Sequence, residues 1–468
     1  MMRTLIAGVL ALVAATNVDA QSERHELGRR LVAFEKQWET TTDDAARKRA
    51  LAILPKVTTQ FFALQLGEAG RTLDDARWAL LGETPSDETR WAESLHIVPP
   101  AVLHDLAKDD FIVTVKHFYP PNVPRPKGMI VTLKFDDVAE PVPLDKLPAK
   151  VKLLTKGDQT VRTGGLQLKA LLQTKAAVLA RIETLMSRDE VGPIDAWKKK
   201  AAADFGVPSF ESLSLKDKVA LLERLAGGEI PESDLEILDR YLELQTLVAA
   251  LEAKKTYYDD FHPGDHTMSV PLPNKQSAVI RAFVPSGLDA AKPVPIVFAL
   301  HGAGGSENMF FESYGAGHIV KECEKRGWML VATRGGFLGS PPVPEILEAL
   351  KTRYPIDGKK VFVVGHSMGA GQAAEIAQRN PKLFRGIALL GGAARVRDVK
   401  AFAQLPLFLG VGTKDQLAYK GSTALVKNLR AAEAANLTAK EYPEIEHLVI
   451  VREALPDVFA IWDKSIQP

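Results

Sequence analysis

The chain has 468 residues, 46% of them hydrophobic and 25% charged, with a formal net charge of +1 at pH 7. That length calls for two or three folding units, and the balanced charge excludes a bulk electrostatic pull toward nucleic acid or anionic membrane. A single cysteine, Cys323, excludes an internal disulfide, so stability has to come from a buried core.

The first 20 residues read as an export signal. Met1-Met2-Arg3 gives a short positive start, Leu5 to Ala15 is a compact apolar run, and Asn17-Val18-Asp19-Ala20 carries small residues suited to cleavage after Ala20. The run is too short to span a bilayer comfortably, which predicts a secreted or periplasmic protein with no stable membrane anchor after cleavage.

Residues 21–95 read as helical. Leu27, Leu31, Phe34 and Trp38 recur at helical spacing, and the stretch from Leu27 to Leu66 is expected to form an amphipathic helical pair. The aromatic residues Phe61, Phe62, Trp78 and Trp91 are expected to be core. In residues 96–166 prolines, among them Pro99, Pro100, Pro120 and Pro121, punctuate two short β-like runs, Phe111-Ile112-Val113-Thr114-Val115 and Met129-Ile130-Val131-Thr132-Leu133. This predicts a small β-rich module. Residues 167–256 return to helical periodicity, with starts expected at Ser212 or Ser214 and at Pro231-Glu232-Ser233. Nothing in residues 21–256 declares a task or a partner. Lys198-Lys199-Lys200 and Lys359-Lys360 lack interleaved aromatic residues and read as solvated faces rather than nucleic-acid sites.

Between residues 257 and 266 His262, Asp265 and His266 have ligand chemistry, but crowded around Pro263-Gly264 they are poorly spaced to close a metal site. The stretch reads as a polar linker into the strand Thr267-Met268-Ser269-Val270-Pro271. No metal and no cofactor are expected.

Beyond it the pattern becomes strand, loop, helix. Pro295 to Leu300 is apolar and runs into His301-Gly302-Ala303-Gly304-Gly305, a loop with little side-chain bulk whose amides can face a ligand. It lacks the G-x-G-x-x-G spacing and the lysine of phosphate-binding loops. The β-branched run Lys360-Val361-Phe362-Val363-Val364 then feeds Gly365-His366-Ser367-Met368-Gly369 and a helix start. A strand, a tight G-x-S-x-G turn and a helix together present a serine Oγ as a nucleophile. A serine needs a base oriented by a third group, and of ten histidines only His447 follows Ser367. Two aspartates lie between them. Asp398 is flanked by Arg395 and Arg397 and reads as their solvated partner, whereas Asp415 follows the apolar run ending at Gly412 and is the expected acid. Backbone N–H groups that hold an oxyanion are expected at Met368 and in the glycine loop at Ala303, with Gly302 or Gly304 as alternatives. Cys323 has neither an elbow nor a paired histidine.

In this order the landmarks Leu300-His301-Gly302-Ala303-Gly304-Gly305, Tyr354-Pro355-Ile356-Asp357, Gly365-His366-Ser367-Met368-Gly369, Gly412-Thr413-Lys414-Asp415 and Glu446-His447 resemble those of the α/β-hydrolase superfamily. The likeness runs from about Thr267 to residue 468, within an expected catalytic domain of residues 257–468, and points to secreted bacterial serine esterases, of the polyhydroxybutyrate-depolymerase and feruloyl-esterase kind, and to prolyl-oligopeptidase-like hydrolases. Gly369-Ala370 departs mildly from the family's usual Gly-Gly. The segment between Arg334 and Lys360 is short for a large lid. The resemblance implies an α/β fold with a doubly wound, mostly parallel sheet. It also implies a nucleophile, acid and base at Ser367, Asp415 and His447, and an oxyanion hole at Met368 and Ala303. The expected reaction is hydrolysis of a small-molecule or polymer-linked carboxylic ester. A serine peptidase, or an inactive binding scaffold, is the alternative.

Overall fold

Val361, Phe362, Val363 and Val364 are each fully buried, and they form the middle of a central strand. A strand covered on both faces reads as a continuous apolar run rather than an alternating one. The computed structural model describes residues 18–105, 110–135, 138–143, 146–154, 167–173, 178–185, 187–189, 192–202, 209–231, 237–259, 262–335 and 339–467. Residues 1–17 of the expected export signal lie outside these, and Val18, Asp19 and Ala20 form the first turn of a helix.

Four helices come first: α1 (Val18–Thr40), α2 (Asp44–Ile53), α3 (Pro55–Phe62) and α4 (Leu66–Leu81), then the short α5 (Asp87–Glu93). Their ends follow local chemistry. Asp43 caps α2 by accepting the Ala45 N–H, Pro55 opens α3, and Gly82, in the left-handed region at φ 71°, closes α4.

Among the described residues the strands that follow are β1 (Leu95–Val98), β2 (Leu103–Asp105), β3 (Asp110–His117), β4 (Ile130–Phe135), β5 (Val138–Pro143), β6 (Ala149–Leu154), β7 (Gln167–Gln173), β8 (Val178–Leu185) and β9 (Ser187–Asp189). They pair as β1-β3-β6, β2-β9 and β5-β4-β7-β8. The strand-rich stretch therefore runs past the expected boundary at residue 166, which corrects the helical reading of residues 167–189. β7 and β8 are built largely from Leu, Ala, Lys, Gln, Arg and Glu, all good helix formers, and antiparallel pairing of β7 with β4 and of β8 with β7 overrides that propensity.

Helices α6 (Gly192–Ala202), α7 (Phe210–Ala226) and α8 (Ile237–Glu252) complete the N-terminal half. The start of α7 is Ser209, which exchanges capping hydrogen bonds with Ser212, three residues ahead of the expected position. The expected start near Ser233 lies outside the described residues.

The main sheet comprises β10 (Gly264–Pro271), β11 (Ser277–Val284), β12 (Val294–Leu300), β13 (Met329–Thr333), β14 (Ile356–His366), β15 (Gly386–Leu390), β16 (Leu407–Gly412) and β17 (Leu437–Tyr442). Its order is β10-β11-β13-β12-β14-β15-β16-β17. β10 and β11 pair antiparallel, as do β11 and β13, and every later pairing is parallel. Helices α9 (His318–Arg326), α10 (Val343–Leu350), α11 (Met368–Arg379), α12 (Val399–Ala403), α13 (Tyr419–Ala431) and α14 (Ile450–Ile466) make the connections. This is the expected doubly wound α/β-hydrolase fold. The strand order reverses where β12 and β14 lie side by side, and at such a point the loops beyond the strand ends open a crevice.

Alternate residues of β12 and β14 feed two cores. Val297, Ala299, Phe362 and Val364 face one that also contains Leu27, Phe34, Trp38, Leu54 and Leu73 of α1–α4. Ile296, Phe298, Val361 and Val363 face the other, with Trp197, Phe210, Leu222 and Leu244 of α6–α8. The helices of the N-terminal half thus cover both faces of the sheet, while the β-rich module keeps a small core of its own around Trp91, Val113 and Val131. Among the described residues no helix is long and apolar enough to cross a membrane.

A buried carboxyl group lies on α1. Glu35, on α1 beside Phe34, is 1% exposed. Burial pushes its carboxyl up to about 8, against the opposing pull of Arg452 and the Gly315 amide. The folded protein therefore retains a proton that the unfolded chain releases near the ordinary carboxylate value. The stability contributed by this site falls as pH rises from about 4.5 through about 8. We predict that Glu35→Gln flattens that slope. Denaturant midpoints at pH 5, 7 and 9 should show the variant gaining on wild type toward alkaline pH, and a constant difference would contradict it.

Candidate active site

The turn after β14 is set by main-chain crowding. A Cβ at Gly365 would lie 2.1 Å from the Gly369 carbonyl oxygen, and one at Gly369 would lie 2.0 Å from that of Leu300. Only glycine lets β14, β12 and α11 approach this closely. Between them Ser367 is held at φ 55°, ψ −116°, a conformation that costs a non-glycine residue about 1–3 kcal/mol. Its N–H donates to the Leu390 carbonyl (2.9 Å), and α11 begins at the next residue.

The structure brings the three expected residues together. His447, in the loop between β17 and α14, donates from Nδ1 to Asp415 Oδ2 at 2.8 Å. A carboxylate only accepts, so the proton lies on Nδ1 and Nε2 is free to accept from Ser367 Oγ at 3.0 Å. Asp415 lies just beyond β16 and is 1% exposed. Its other oxygen accepts the Leu417 and Ala418 amides at 3.0 and 2.8 Å. Burial works against the carboxylate, but the His447 hydrogen bond and charge and the Ala418 amide outweigh it and hold Asp415 below its usual range.

Asp398 is elsewhere. It caps α12, accepting the Ala401 N–H at 3.0 Å, and this helix-capping role replaces the solvated ion pair with the flanking arginines expected of it.

The loop that carries His447 is braced from its own backbone. Glu446 is 1% exposed and accepts the Leu448 and Val449 amides at the start of α14. Burial pushes its carboxyl up to about 7 despite those bonds.

A second brace escaped the sequence reading. His366, the residue before Ser367, is buried, and burial together with the nearby His447 pushes it down to about 3, so it is neutral. Its Nε2–H donates to the His447 carbonyl at 2.8 Å. Its Nδ1 accepts from Tyr314 Oη at 2.9 Å, and Tyr314 Oη in turn accepts the Gly302 N–H at 3.2 Å. One line of hydrogen bonds therefore ties the glycine loop to the histidine loop behind the serine. With the Gly302 amide engaged by Tyr314, Ala303 and Gly304 remain of the expected loop donors. The motif identifies His366 as an interchangeable position; its partners come from loops far away in sequence.

A cavity of about 120 Å³ opens beside Ser367 and His447. One wall is the loop Gly302, Ala303, Gly304 and Gly305 with Met309 and Tyr314. The rest of the lining includes Leu27 and Leu31 of α1, Val57, Phe61 and Phe62 of α3, and Leu73 of α4. Phe61 and Phe62, expected in the core, are half-buried and line this cavity. Among the described residues its lining includes Arg24 and no aspartate or glutamate.

The other candidates from sequence have ordinary roles. His262 pairs with Asp259 (2.8 Å), His266 donates to the His262 carbonyl (2.7 Å), and Asp265 pairs with Arg281 (2.6 Å). Among the described residues no three His, Cys, Asp or Glu side chains are grouped to hold a metal ion. Cys323 is buried on α9, and burial pushes its thiol well above the ordinary range.

Residues 343–405, which include Ser367, match the model of the family described as serine aminopeptidase, S33. No curated protein matches the chain. Several solved structures resemble it at low identity. A thermostable esterase is 14% identical with a TM-score of 0.40, over 75% of this chain and 94% of its own. A ferulic acid esterase of Anaeromyces mucronatus is 16% identical with a TM-score of 0.35, over 41% and 87%. An S-formylglutathione hydrolase of Staphylococcus aureus is 14% identical with a TM-score of 0.36, over 44% and 100%.

The His366 line makes a prediction. His366→Phe removes the hydrogen bonds to the Tyr314 hydroxyl and to the buried His447 carbonyl. It should cost about 1–3 kcal/mol, read from denaturant unfolding. A loss below 0.5 kcal/mol, on the order of a neutral surface change, would mean the line carries no structural weight.

Proposed function

We propose that this protein is a serine hydrolase that cleaves carboxylic esters through an acyl-serine intermediate. The observation that carries the reading is the unbroken line Ser367 Oγ, His447 imidazole, Asp415 carboxylate, at 3.0 and 2.8 Å. His447 takes the serine proton as Oγ attacks the carbonyl, then returns it to the leaving alcohol. Asp415 fixes the tautomer and stabilises the imidazolium. The oxyanion is held by the Met368 and Ala303 amides, and water attacks the acyl-serine by the same route in reverse. Every step uses the chain's own groups.

The matched family's description raises a peptidase alternative, and the cavity argues against it. An aminopeptidase has to hold a cationic α-amine, which calls for a carboxylate near the nucleophile, whereas the charged side chain lining this cavity is Arg24. Acyl groups on polysaccharide, polyester chains and small soluble esters remain within the reading. Export with cleavage after Ala20, to the periplasm or outside, belongs to the same proposal and rests on residues 1–20 alone.

Ser367→Ala should lower hydrolysis of short-chain nitrophenyl esters by about 10⁴-fold or more with the fold intact. Full activity in that variant would exclude the acyl-serine route, and an inactive wild type would favour a binding scaffold. Asp415→Asn should lose about 10⁴-fold. Asp398→Asn should keep its rate, since asparagine caps a helix as well as aspartate does. Faster turnover of aminoacyl nitroanilides than of esters would replace the esterase reading with a peptidase one.

A further inference from the structure

We infer that helices α1 and α3 of the N-terminal half build the acyl-binding wall of this site, and that its substrates are esters of compact apolar acids. The inference rests on the ester reading above. Two contacts join these helices to the oxyanion loop itself. Arg24 of α1 donates to the Gly304 carbonyl at 2.7 Å. Phe61 of α3 lies so close to Gly304 that a Cβ there would sit 3.1 Å from the ring. Gly304 is also at φ 81°, which keeps the loop open to glycine and its surface flat under the ring.

The wall is fixed rather than hinged. Phe34 and Trp38, further along α1, are buried in the same core as Val297 and Phe362 of the sheet. Trp38 Nε1 donates to Glu453 Oε1 of α14 at 3.0 Å. At the other end of α1, Gln21 Oε1 accepts the Ile230 N–H at 3.0 Å. Leu27 and Leu31 stand one helical turn apart and face the same space as Val57 and Phe61.

Chemistry decides which half of the ester lies here. The leaving oxygen has to reach His447 Nε2 to collect its proton, and the carbonyl oxygen has to reach the Ala303 and Met368 amides. The remaining substituent, the acyl chain, then extends along the glycine loop toward Phe61 and Leu31. The cavity volume of about 120 Å³ approaches that of an apolar protein cavity, about 150 Å³, that binds benzene. It therefore takes one aromatic ring or a short alkyl chain, roughly butanoyl to hexanoyl.

The test compares kcat/KM over nitrophenyl esters from acetyl to dodecanoyl, and separately over alkyl butanoates of increasing alcohol length. Fluorophosphonate labelling of each variant reports an intact site. Wild type should peak near butanoyl to hexanoyl. Leu31→Trp should lower the hexanoyl-to-acetyl ratio by about 10-fold or more, and Phe61→Ala should move the peak to longer chains, because each methylene is worth about 10–200-fold in a fitted pocket. Leu31→Phe serves where the larger residue does not fold. Labelled variants whose acyl profile matches wild type, or whose alcohol profile moves instead, would overturn the inference and leave the esterase reading standing. A wild type that neither labels nor cleaves any ester would overturn the reading, and the inference with it.

Discussion

Everything at this site depends on the close approach of three backbones at the end of β14. Gly365 and Gly369 remove the Cβ atoms that would hold β14, β12 and α11 apart, and the reduced spacing forces Ser367 to positive φ. A strained residue persists only where its surroundings over-determine it. Here they do. Val361, Phe362, Val363 and Val364 are fully buried, β12 and β15 flank them in parallel register, and α11 is locked behind the turn by buried Ala370, Ala373 and Ala374. The serine hydroxyl that results is half-exposed, contributes little to packing and points at the one imidazole available to it.

The electrostatics around that serine divide neighbouring titratable groups by environment. Asp415 stays ionised because two amides and an imidazole N–H converge on it, more than offsetting its burial. His366, a ring centroid distance of 4.7 Å from His447, is stripped of solvent and kept neutral, which suits a group that donates to one partner and accepts from another. A charged His366 would repel the imidazolium that the proposed mechanism forms on His447. The neutral one holds the His447 backbone and, through Tyr314, the Gly302 amide. Positioning and charge are thus supplied by different histidines.

The α/β sheet and the meeting of Ser367, His447 and Asp415 were legible in the sequence because their signals are short-range. A buried strand, a glycine-bounded turn and a helix start are contiguous, and chain order alone narrows the acid and base. The N-terminal half was opaque for the opposite reason. Arg24 meets Gly304 across 280 residues, and Trp38 meets Glu453 across 415. Periodicity could show that Leu27, Leu31, Phe34 and Trp38 share a helix face, but not that the face divides between core and cavity. Phe61 and Phe62 look like core residues by type and become cavity wall because α3 ends over the glycine loop. The segment between Arg334 and Lys360 reads as short for a large lid, and Leu27, Leu31, Val57 and Phe61 from the other end of the chain line the cavity. β7 and β8 misled because helix-forming residues are drawn into strands by antiparallel pairing, β7 with β4 and β8 with β7.

The central claim is that this architecture activates one serine. Fluorophosphonates react covalently with an activated serine and spare ordinary hydroxyls. Treating the full-length protein with a fluorophosphonate and mapping the adduct by peptide mass spectrometry tests the claim directly. The account predicts a single adduct on Ser367 in wild type and its loss in His447→Ala. An unmodified wild type, or an adduct on another residue, would contradict it.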